Sequence, residues 1–239
     1  MRIELDFISV LIEWPLLIKG VAWTIGLTSI STLLGLALGI VLAWSRVHGA
    51  LPLRVLAGTY VELIRNTPFI VQLFFVYFGL PAMGLRLSPE TASIIAMVIN
   101  LSAYATEIIR AGIEATPKGQ IEAGMSLALT PGQIFTHVVL PPALRKVWPA
   151  LVSQIIIVML GSAVCGQIST EELSHAANLI QSRNFRAFEA FIIATLTYLT
   201  LAVALRRLLN WLGPRFCLVA EAETTWLIFL FGTSSETCS

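Results

Sequence analysis

Charged side chains are scarce in this 239-residue sequence. Only 12% of the residues are Asp, Glu, Lys or Arg, whereas 56% are hydrophobic. A soluble domain carries about 25% charged residues, so the deficit argues against a soluble domain and favours a chain embedded in lipid. The formal net charge is only +1 and no basic, aromatic-rich patch is present, so nothing points to a nucleic-acid-binding protein.

Cysteine and histidine are also few, with three residues of each. Cys165, Cys217 and Cys238 have no paired spacing and no neighbouring histidine cluster. The sequence therefore predicts neither a disulfide framework nor a zinc site. An intramembrane enzyme is one alternative, but it needs a nucleophile–base pair or metal ligands inside the apolar segments, and none of the histidines lies in one.

Long uncharged stretches make up much of the remaining sequence. A helix that crosses a bilayer needs about 17 to 25 predominantly apolar residues. Three stretches reach this length, and two shorter ones reach it if Glu90, Glu189 and Arg206 extend to the interfaces. In chain order, the five stretches are 20–45, 66–85, 91–106, 147–170 and 190–205. Because only helices and closed barrels cross lipid, the sequence predicts an all-α integral membrane protein with five transmembrane helices.

Lysine and arginine are unevenly divided between the predicted loops. Ten of them follow the first, third and fifth spans, and five lie on the opposite side. The basic side is the cytoplasmic one. We therefore expect a multi-pass membrane protein, with its N-terminus outside and its C-terminus in the cytoplasm. Outside, residues 170–186 are predicted to form a short surface helix capped by Thr170.

Two helix-start signals lie between the third and fourth predicted spans. Thr116 precedes Pro117 and Thr130 precedes Pro131, so each threonine is a hydroxyl N-cap before a proline at the first helical position. Gln133 lies three residues after Thr130 and completes a capping box.

A helix-stop signal follows at Pro141 and Pro142, because proline disfavours helical geometry before it and donates no backbone hydrogen bond. Residues 117–142, here called the coupling segment, are thus predicted to form a cytoplasmic helix–turn–helix. Taken alone, the pattern fits equally well a capped loop that packs on its own bundle.

A spaced set of residues within the coupling segment resembles a known motif. The set comprises Glu122, Ala123 and Gly124, then Ala128, then Val138, Leu140 and Pro141. It resembles the cytoplasmic EAA motif of ATP-binding-cassette importer permeases, which reads E-A-A, three residues, G, nine residues, I-x-L-P. Two small residues depart from it, since Gly124 replaces an alanine and Ala128 replaces the glycine. A turn that needs positive φ is therefore less favourable at Ala128.

Three longer stretches look like the polar amino acid branch of these permeases, the histidine, glutamine and arginine type. They are ELIRNTPFIVQLFFVYFGLP at 62–81, YATEIIRAGIEATPKGQIEAGMSLA at 104–128 and NFRAFEAFIIATLTYLTLAVALRRL at 184–208. The resemblance covers about residues 15–217. We therefore expect a single transmembrane permease domain over residues 1–217 and a C-terminal tail of uncertain role at 218–239.

The resemblance implies a transport subunit rather than an enzyme. Such permeases dock their coupling helix in a groove of a separate ATPase subunit, which binds ATP and Mg, so this chain is expected to need no cofactor. The lack of a phosphate-binding GxxxxGK[ST] loop agrees with this expectation. The implied docking residues are Glu122, Ala123, Gly124, Ala128, Leu129, Pro131, Leu140 and Pro141.

The resemblance also implies a location in a bacterial cell (inner) membrane and a set of partners. A five-helix protomer forms half of an alternating-access pathway, so the chain is expected to pair with itself or with a similar permease subunit. An ATPase dimer is expected on the cytoplasmic side. An external solute-binding protein is expected to deliver a polar amino acid. A permease for an opine or a compatible solute is the alternative.

Polar side chains inside the predicted spans are candidates for substrate contact. They are Asn100, Gln154, Gln72 and Ser162. Asn100 is central and can both donate and accept hydrogen bonds, although its alternative role is a bond between helices. Gln154 in the fourth span is its expected opposing partner. One face of the third span combines Asn100, Tyr104, Glu107 and Ala111.

Two charge pairs occur at i, i+3 spacing, Glu62 with Arg65 and Glu107 with Arg110. We interpret these four residues mainly as gate or bundle ion pairs near the inner face, and direct substrate contact is the alternative. Pro68 is predicted to kink or break the second span.

Overall fold

The computed structural model describes the backbone of residues 5–231 and the side chains of residues 5–213. Its α-helices are α1 Ile8–Leu11, α2 Trp14–His48, α3 Leu51–Arg65, α4 Phe69–Phe74, α5 Leu80–Ala82, α6 Pro89–Glu114, α7 Lys118–Ser126, α8 Pro131–Gln133, α9 Leu140–Gly161, α10 Leu173–Asn184 and α11 Ala187–Phe231. Phe75–Gly79 and Ile134–Val139 are π-helical, and Ser162–Ile168 is a 3₁₀-helix. The tail set apart at 218–239 lies outside the described side chains.

Four helical segments are long and apolar enough to cross a bilayer. They are Trp14–His48, Pro89–Glu114, Pro131–Ile168 and Ala187–Gly213. A bent pair, Leu51–Arg65 with Phe69–Ala82, adds a fifth if it counts as one span. The prediction of an all-α membrane protein is confirmed for the described residues, with four to five candidate spans.

The second predicted span is broken at the proline, as the sequence predicts. The chain bends by 108° between α3 and the segment Phe69–Ala82, which begins with α4. Pro68 has φ −62° and ψ 139°, an extended conformation that cannot continue a helix, and its ring removes one backbone donor. The bent pair begins at Leu51, well before the uncharged stretch 66–85 that marks the second span in the sequence.

Small residues determine how the two central helices pack. Helix α2 buries Ser31, Gly35, Gly39 and Ala43, which recur every four residues and so share one face. This face meets α6, where a Cβ atom built on Gly39 would lie 2.8 Å from the Cβ of Ala105. In lipid, such small residues allow close backbone approach and strong van der Waals contact between helices. The pair of α2 and α6 forms the centre of the bundle.

The predicted helix stop at Pro141 and Pro142 is wrong. These residues lie in the first turn of α9, and helical structure runs without interruption from Pro131 to Ile168. The preceding turn, Ile134–Val139, is π-helical. A π-turn adds one residue to a helical turn. Pro141 and Pro142, which have no backbone N–H to donate, therefore lie where the hydrogen-bond register changes rather than at the end of a helix.

The cap of α10 differs from the prediction. Helix α10 begins after Glu172, whose carboxylate accepts hydrogen bonds from the backbone N–H groups of Ser174 at 2.8 Å and His175 at 2.7 Å. The Thr170 hydroxyl instead bonds the Ser93 hydroxyl at 2.8 Å. A carboxylate oxygen accepts backbone hydrogen bonds as a hydroxyl does, and the sequence contains both groups within three residues.

Helix α10 is also more deeply packed than a surface helix. It buries Leu173, Ala176, Ala177 and Ile180, and Glu172 itself is 0% exposed. Burial raises the pKa of the Glu172 carboxyl, and the Tyr198 hydroxyl and two backbone N–H donors oppose that rise. Helix α10 thus packs against α2 and α11.

Replacing Gly39 with alanine tests the close approach of α2 and α6. The added methyl group cannot fit without moving the helices apart, so we expect Gly39→Ala to lower the free energy of unfolding by about 1–3 kcal/mol. Gly26→Ala on the same helix is the control, because a Cβ there meets nothing within 4 Å. Thermal unfolding of the two purified variants in detergent checks this, and equal unfolding temperatures would contradict it.

Candidate functional site

The coupling segment forms a helix, a tight turn and a second helix. The capping box at Thr130 is confirmed, since its hydroxyl accepts from the Gln133 N–H and the Gln133 side chain accepts from the Thr130 N–H. The predicted cap at Thr116 is wrong, because Pro117 is the N-cap residue of α7. The Thr116 hydroxyl lies 3.5 Å from the Gly112 carbonyl oxygen and donates back to the preceding helix.

Ala128 adopts a left-handed conformation, with φ of 56°. The Leu129 N–H reaches the Gly124 carbonyl at 3.2 Å, and the Leu127 N–H reaches that of Ala123 at 3.2 Å. The long bond to Gly124 ends α7 in the manner of a Schellman motif, which normally has glycine at the left-handed position. An L-residue there is disfavoured by about 1–2 kcal/mol, so the turn keeps its shape at a cost in stability.

The predicted docking residues divide into two groups. Glu122, Ala123, Ala128 and Pro131 are exposed. Gly124 is buried, and a Cβ on it would lie 3.1 Å from Ile134. Leu129 and Leu140 pack against the apolar cluster around Ile134, and Pro141 is half-buried. The inward group thus fixes α7 on the bundle, and the outward group forms a free surface.

Two large apolar side chains, which the sequence analysis did not single out as docking residues, extend this free surface. Met125 is 63% exposed and Leu127 is 74% exposed. Exposed side chains of this size beside small residues are typical of an interaction surface. Their exposure depends on where α7 ends, and no local sequence signal marks it.

Glu107 is the centre of an ion cluster that joins three helices. Its carboxylate pairs with Arg46 of α2 and lies 2.9 Å from Nη2 of Arg110. Nη1 of Arg65, at the end of α3, is 3.9 Å away, and Arg110 also meets Glu114 at 2.6 Å. Arg46 is the member that sequence reasoning missed, because its partner lies on another helix.

The predicted local pair between Glu62 and Arg65 is not among the ion pairs of the described residues. The Asn66 side-chain amide donates to Glu62 at 3.1 Å instead. Arg65 turns toward α6, where its guanidinium carbon lies 5.6 Å from the centre of the Tyr104 ring. The bent pair of α3 and α4 therefore packs on the α6 face that combines Tyr104 and Glu107.

Gln72 links the broken span to the same face of α6. Its side-chain nitrogen Nε2 donates to the carbonyl oxygens of Ile64 at 2.7 Å and Thr67 at 3.0 Å. Its Oε1 accepts from Nδ2 of Asn100 at 3.0 Å. Asn100 is half-buried, and its hydrogen-bond partner among the described residues is Gln72 rather than Gln154.

The other two candidate substrate contacts differ in their surroundings. Gln154 is 9% exposed, and its amide makes no hydrogen bond to any described residue. Ser162 is buried, and its hydroxyl donates to the Met159 carbonyl at 2.6 Å, one turn back on its own helix. The amide of Gln154 thus keeps its donors and its acceptor available, which favours Gln154 over Ser162 as a ligand contact. In the described part of the chain, no three His, Cys, Asp or Glu residues are grouped to hold a metal ion.

Sequence comparisons find close relatives. A family model described as a binding-protein-dependent transport system inner membrane component matches residues 35–217. The arginine transport system permease protein ArtQ of Bacillus subtilis is 34% identical over 203 residues, 84% of this chain and 93% of ArtQ. The glutamine transport system permease protein GlnP of Escherichia coli is 33% identical over 214 residues, 89% of this chain and 98% of GlnP.

Solved structures give the same result. The crystal structure of an amino acid ABC transporter with histidines is 35% identical, with a TM-score of 0.80 over 89% of this chain and 100% of the other. An inward-facing MetNI methionine ABC transporter is 24% identical, with a TM-score of 0.65 over 86% of this chain and 96% of the other. This second likeness shows the fold alone.

Relief of the strained turn is testable. We expect Ala128→Gly to raise the free energy of unfolding by about 1 kcal/mol, because glycine adopts positive φ without a steric penalty. Ala123→Gly, at an exposed helical position of α7, is the control and is expected to lower it by about 1 kcal/mol. Thermal unfolding of both variants measures the difference. Destabilisation by both would refute the account of the turn.

The ion cluster is tested by neutralising its central carboxylate. We expect Glu107→Gln to destabilise the protein, because it leaves three guanidinium groups facing one another with one anion fewer. Glu114→Gln is the matched control, since the ion pair that Glu114 makes among the described residues is with Arg110 and its side chain is 54% exposed. The melting temperature should fall clearly for the first variant and little for the second. Equal shifts would show that Glu107 is not the centre of the cluster.

Proposed function

The chain belongs to the family of binding-protein-dependent transport system inner membrane components, and we propose that it is the membrane-spanning permease subunit of an ATP-binding-cassette importer for a polar amino acid. ATP hydrolysis takes place on a separate subunit. The observation that carries this proposal is the exposed, well-capped turn of the coupling segment, which presents Glu122 beside small and apolar side chains.

The docking surface proposed for the ATPase consists of the outward group. Glu122 pairs with a basic residue of the partner, and the exposed Ala123 and Ala128 allow its groove to approach closely. Met125 and Leu127 add apolar contact. Gly124, Leu129, Leu140 and Pro141 support the surface from behind. Gly124 lies against Ile134 of the π-turn, Leu129 and Leu140 pack on the apolar cluster around Ile134, and Pro141 is in the first turn of α9.

The proposed arrangement in the membrane has five spans, with the bent pair of α3 and α4 as the second. The N-terminus is outside, and the coupling segment and the C-terminus are in the cytoplasm, since the basic residues concentrate there. Residues 1–217 form one permease domain. A second permease subunit, identical or similar, completes the pathway, and an external binding protein delivers the substrate.

The proposed substrate contacts are Asn100 and Gln154. Both are amide side chains within candidate spans, and α6 and α9, which carry them, pack against each other. Gln154 has an amide that the described residues leave without a partner, and Asn100 retains a free carbonyl oxygen. The names of the relatives ArtQ and GlnP refer to arginine and glutamine, which supports a polar amino acid as substrate.

The ion cluster around Glu107 is proposed to hold the inner end of the pathway. It ties α2, α3 and α6 together, and the contact of Arg65 is the longest of the three. The C-terminal end of α3, at the break of the bent pair, is therefore the element most easily released when the bundle changes shape.

Charge reversal on the coupling segment tests the docking role. With the ATPase and binding protein reconstituted in vesicles, we expect Glu122→Lys to reduce amino acid uptake at least about tenfold, the effect of losing roughly 1.4 kcal/mol of interaction. The variant should still insert in the membrane, because Glu122 is exposed.

Gln120→Lys is the matched control, since it adds a positive charge at another exposed position of α7. It should retain uptake. If Glu122→Lys keeps full uptake and co-purifies with the same amount of ATPase, Glu122 does not dock the ATPase.

A further inference from the structure

The break between α3 and α4 determines how the Gln72 amide is oriented. Its Nε2 lies 2.7 Å from the Ile64 carbonyl oxygen and 3.0 Å from that of Thr67. Carbonyl oxygens only accept hydrogen bonds. The nitrogen of Gln72 must therefore face the break, and its oxygen must face away from it. Gln72 is 8% exposed, so water does not offer an alternative arrangement.

This orientation in turn determines that of Asn100. Oε1 of Gln72 is an acceptor and lies 3.0 Å from the Asn100 side chain. If Asn100 turned its oxygen toward Gln72, two acceptors would meet at hydrogen-bond distance without a proton between them, which is unfavourable in a low-dielectric setting. Asn100 must therefore present its nitrogen to Gln72 and its carbonyl oxygen Oδ1 elsewhere.

The remaining oxygen of Asn100 is available to a ligand. Among the described residues, none donates a hydrogen bond to Oδ1, and Asn100 is only half-buried. One N–H of the Asn100 amide is used by Gln72, and the atom that faces away from Gln72 is the acceptor Oδ1. An outward-facing carbonyl oxygen accepts from an ammonium group and repels a carboxylate.

We propose that Gln72 is a positioning residue that sets the hydrogen-bond polarity of Asn100, so that the site recognises the α-ammonium group of its substrate. This inference rests on the proposed function and adds the orientation of the bound amino acid. The substrate carboxylate then needs a donor from another helix, and the amide of Gln154 on α9 supplies one. Gln72 itself does not touch the substrate, because its polar atoms are already engaged.

Two substitutions separate the two roles of Gln72, which are to bond the carbonyls at the break between α3 and α4 and to orient the amide of Asn100. Gln72→Lys keeps a donor for the carbonyls of Ile64 and Thr67 but also offers a donor to Asn100. The Asn100 amide must then turn over, so that its oxygen faces the lysine and its nitrogen faces the ligand. Gln72→Glu has the opposite effect. It keeps an acceptor toward Asn100 and loses the donors at the break.

The measurement is direct binding to the purified permease–ATPase complex without the binding protein, whose own selectivity would mask the site. The probes are radiolabelled L-arginine, L-glutamine and L-cystine, each competed by its unlabelled form and by its Nα-acetyl derivative, which lacks the ammonium group. In the wild type we expect the free amino acid to compete at least about tenfold better than the acetylated one, as for a site whose polar group is left unpaired by the analogue.

The expected results differ between the variants. Gln72→Lys should lose the preference for the free ammonium group, and its buried charge should lower the melting temperature. Gln72→Glu should keep the preference and melt at a lower temperature. The double variant Gln72→Lys with Asn100→Asp should regain the preference, because one carboxylate oxygen accepts from the lysine and the other faces the ligand.

Retention of the preference in Gln72→Lys would overturn the inference, as would equal loss of binding in both single variants without recovery in the double variant. Equal loss without recovery would show that Gln72 stabilises the break between α3 and α4 and does not orient Asn100. A wild-type complex that hydrolyses ATP but binds none of the three amino acids would refute the proposed substrate class and the inference with it. Binding without preference for the ammonium group would refute only the inference.

Discussion

Buried backbone groups have no water to bond with, and this constraint shapes the irregular elements of the described residues. A buried N–H or C=O group without a partner costs about as much as a lost hydrogen bond, and more in hydrocarbon, so an interruption of a helix requires a side chain or a change of register. The break after α3 uses the Gln72 amide on the carbonyls of Ile64 and Thr67. The prolines of α9 follow a π-turn, and the first N–H groups of α10 are bonded by the buried carboxylate of Glu172.

The same constraint explains why polar and small residues cluster on α6. One face of this helix approaches the glycines of α2 closely enough that Thr106 reaches the Gly39 carbonyl at 3.4 Å. Another face presents Asn100, Tyr104 and Glu107 to the bent pair. A helix with apolar side chains throughout would pack equally well against lipid and against protein. Small residues and paired polar groups make the contacts with α2, α3 and α4 specific.

Local sequence rules predicted those elements whose hydrogen bonds are local. The capping box of Thr130 with Gln133 and the break at Pro68 depend on neighbours in the chain, and both are present. These local rules failed where a side chain had a better-placed partner, either on another helix or elsewhere on its own helix. Thr116 bonds back to Gly112 instead of capping α7, and Arg65 leaves Glu62 for Tyr104 and Glu107. The role of Arg46 could not be predicted, because the sequence does not reveal which helix faces it.

Helix α6 connects the candidate substrate site to the coupling segment as one rigid element. From Asn100 to Gly112 it rises about 18 Å at 1.5 Å per residue, and at Gly112 it crosses α9 so closely that a Cβ there would lie 2.9 Å from the Ala143 carbonyl oxygen. Helix α9 continues through the π-turn to Ile134, which contacts Gly124 of α7. Helix α7 also follows α6 after only three residues, and its Ile121 packs against the apolar cluster that contains Ile109 and Ile113 of α6. Displacement of the coupling segment therefore reaches Asn100 along α6 both through α9 and through this direct link.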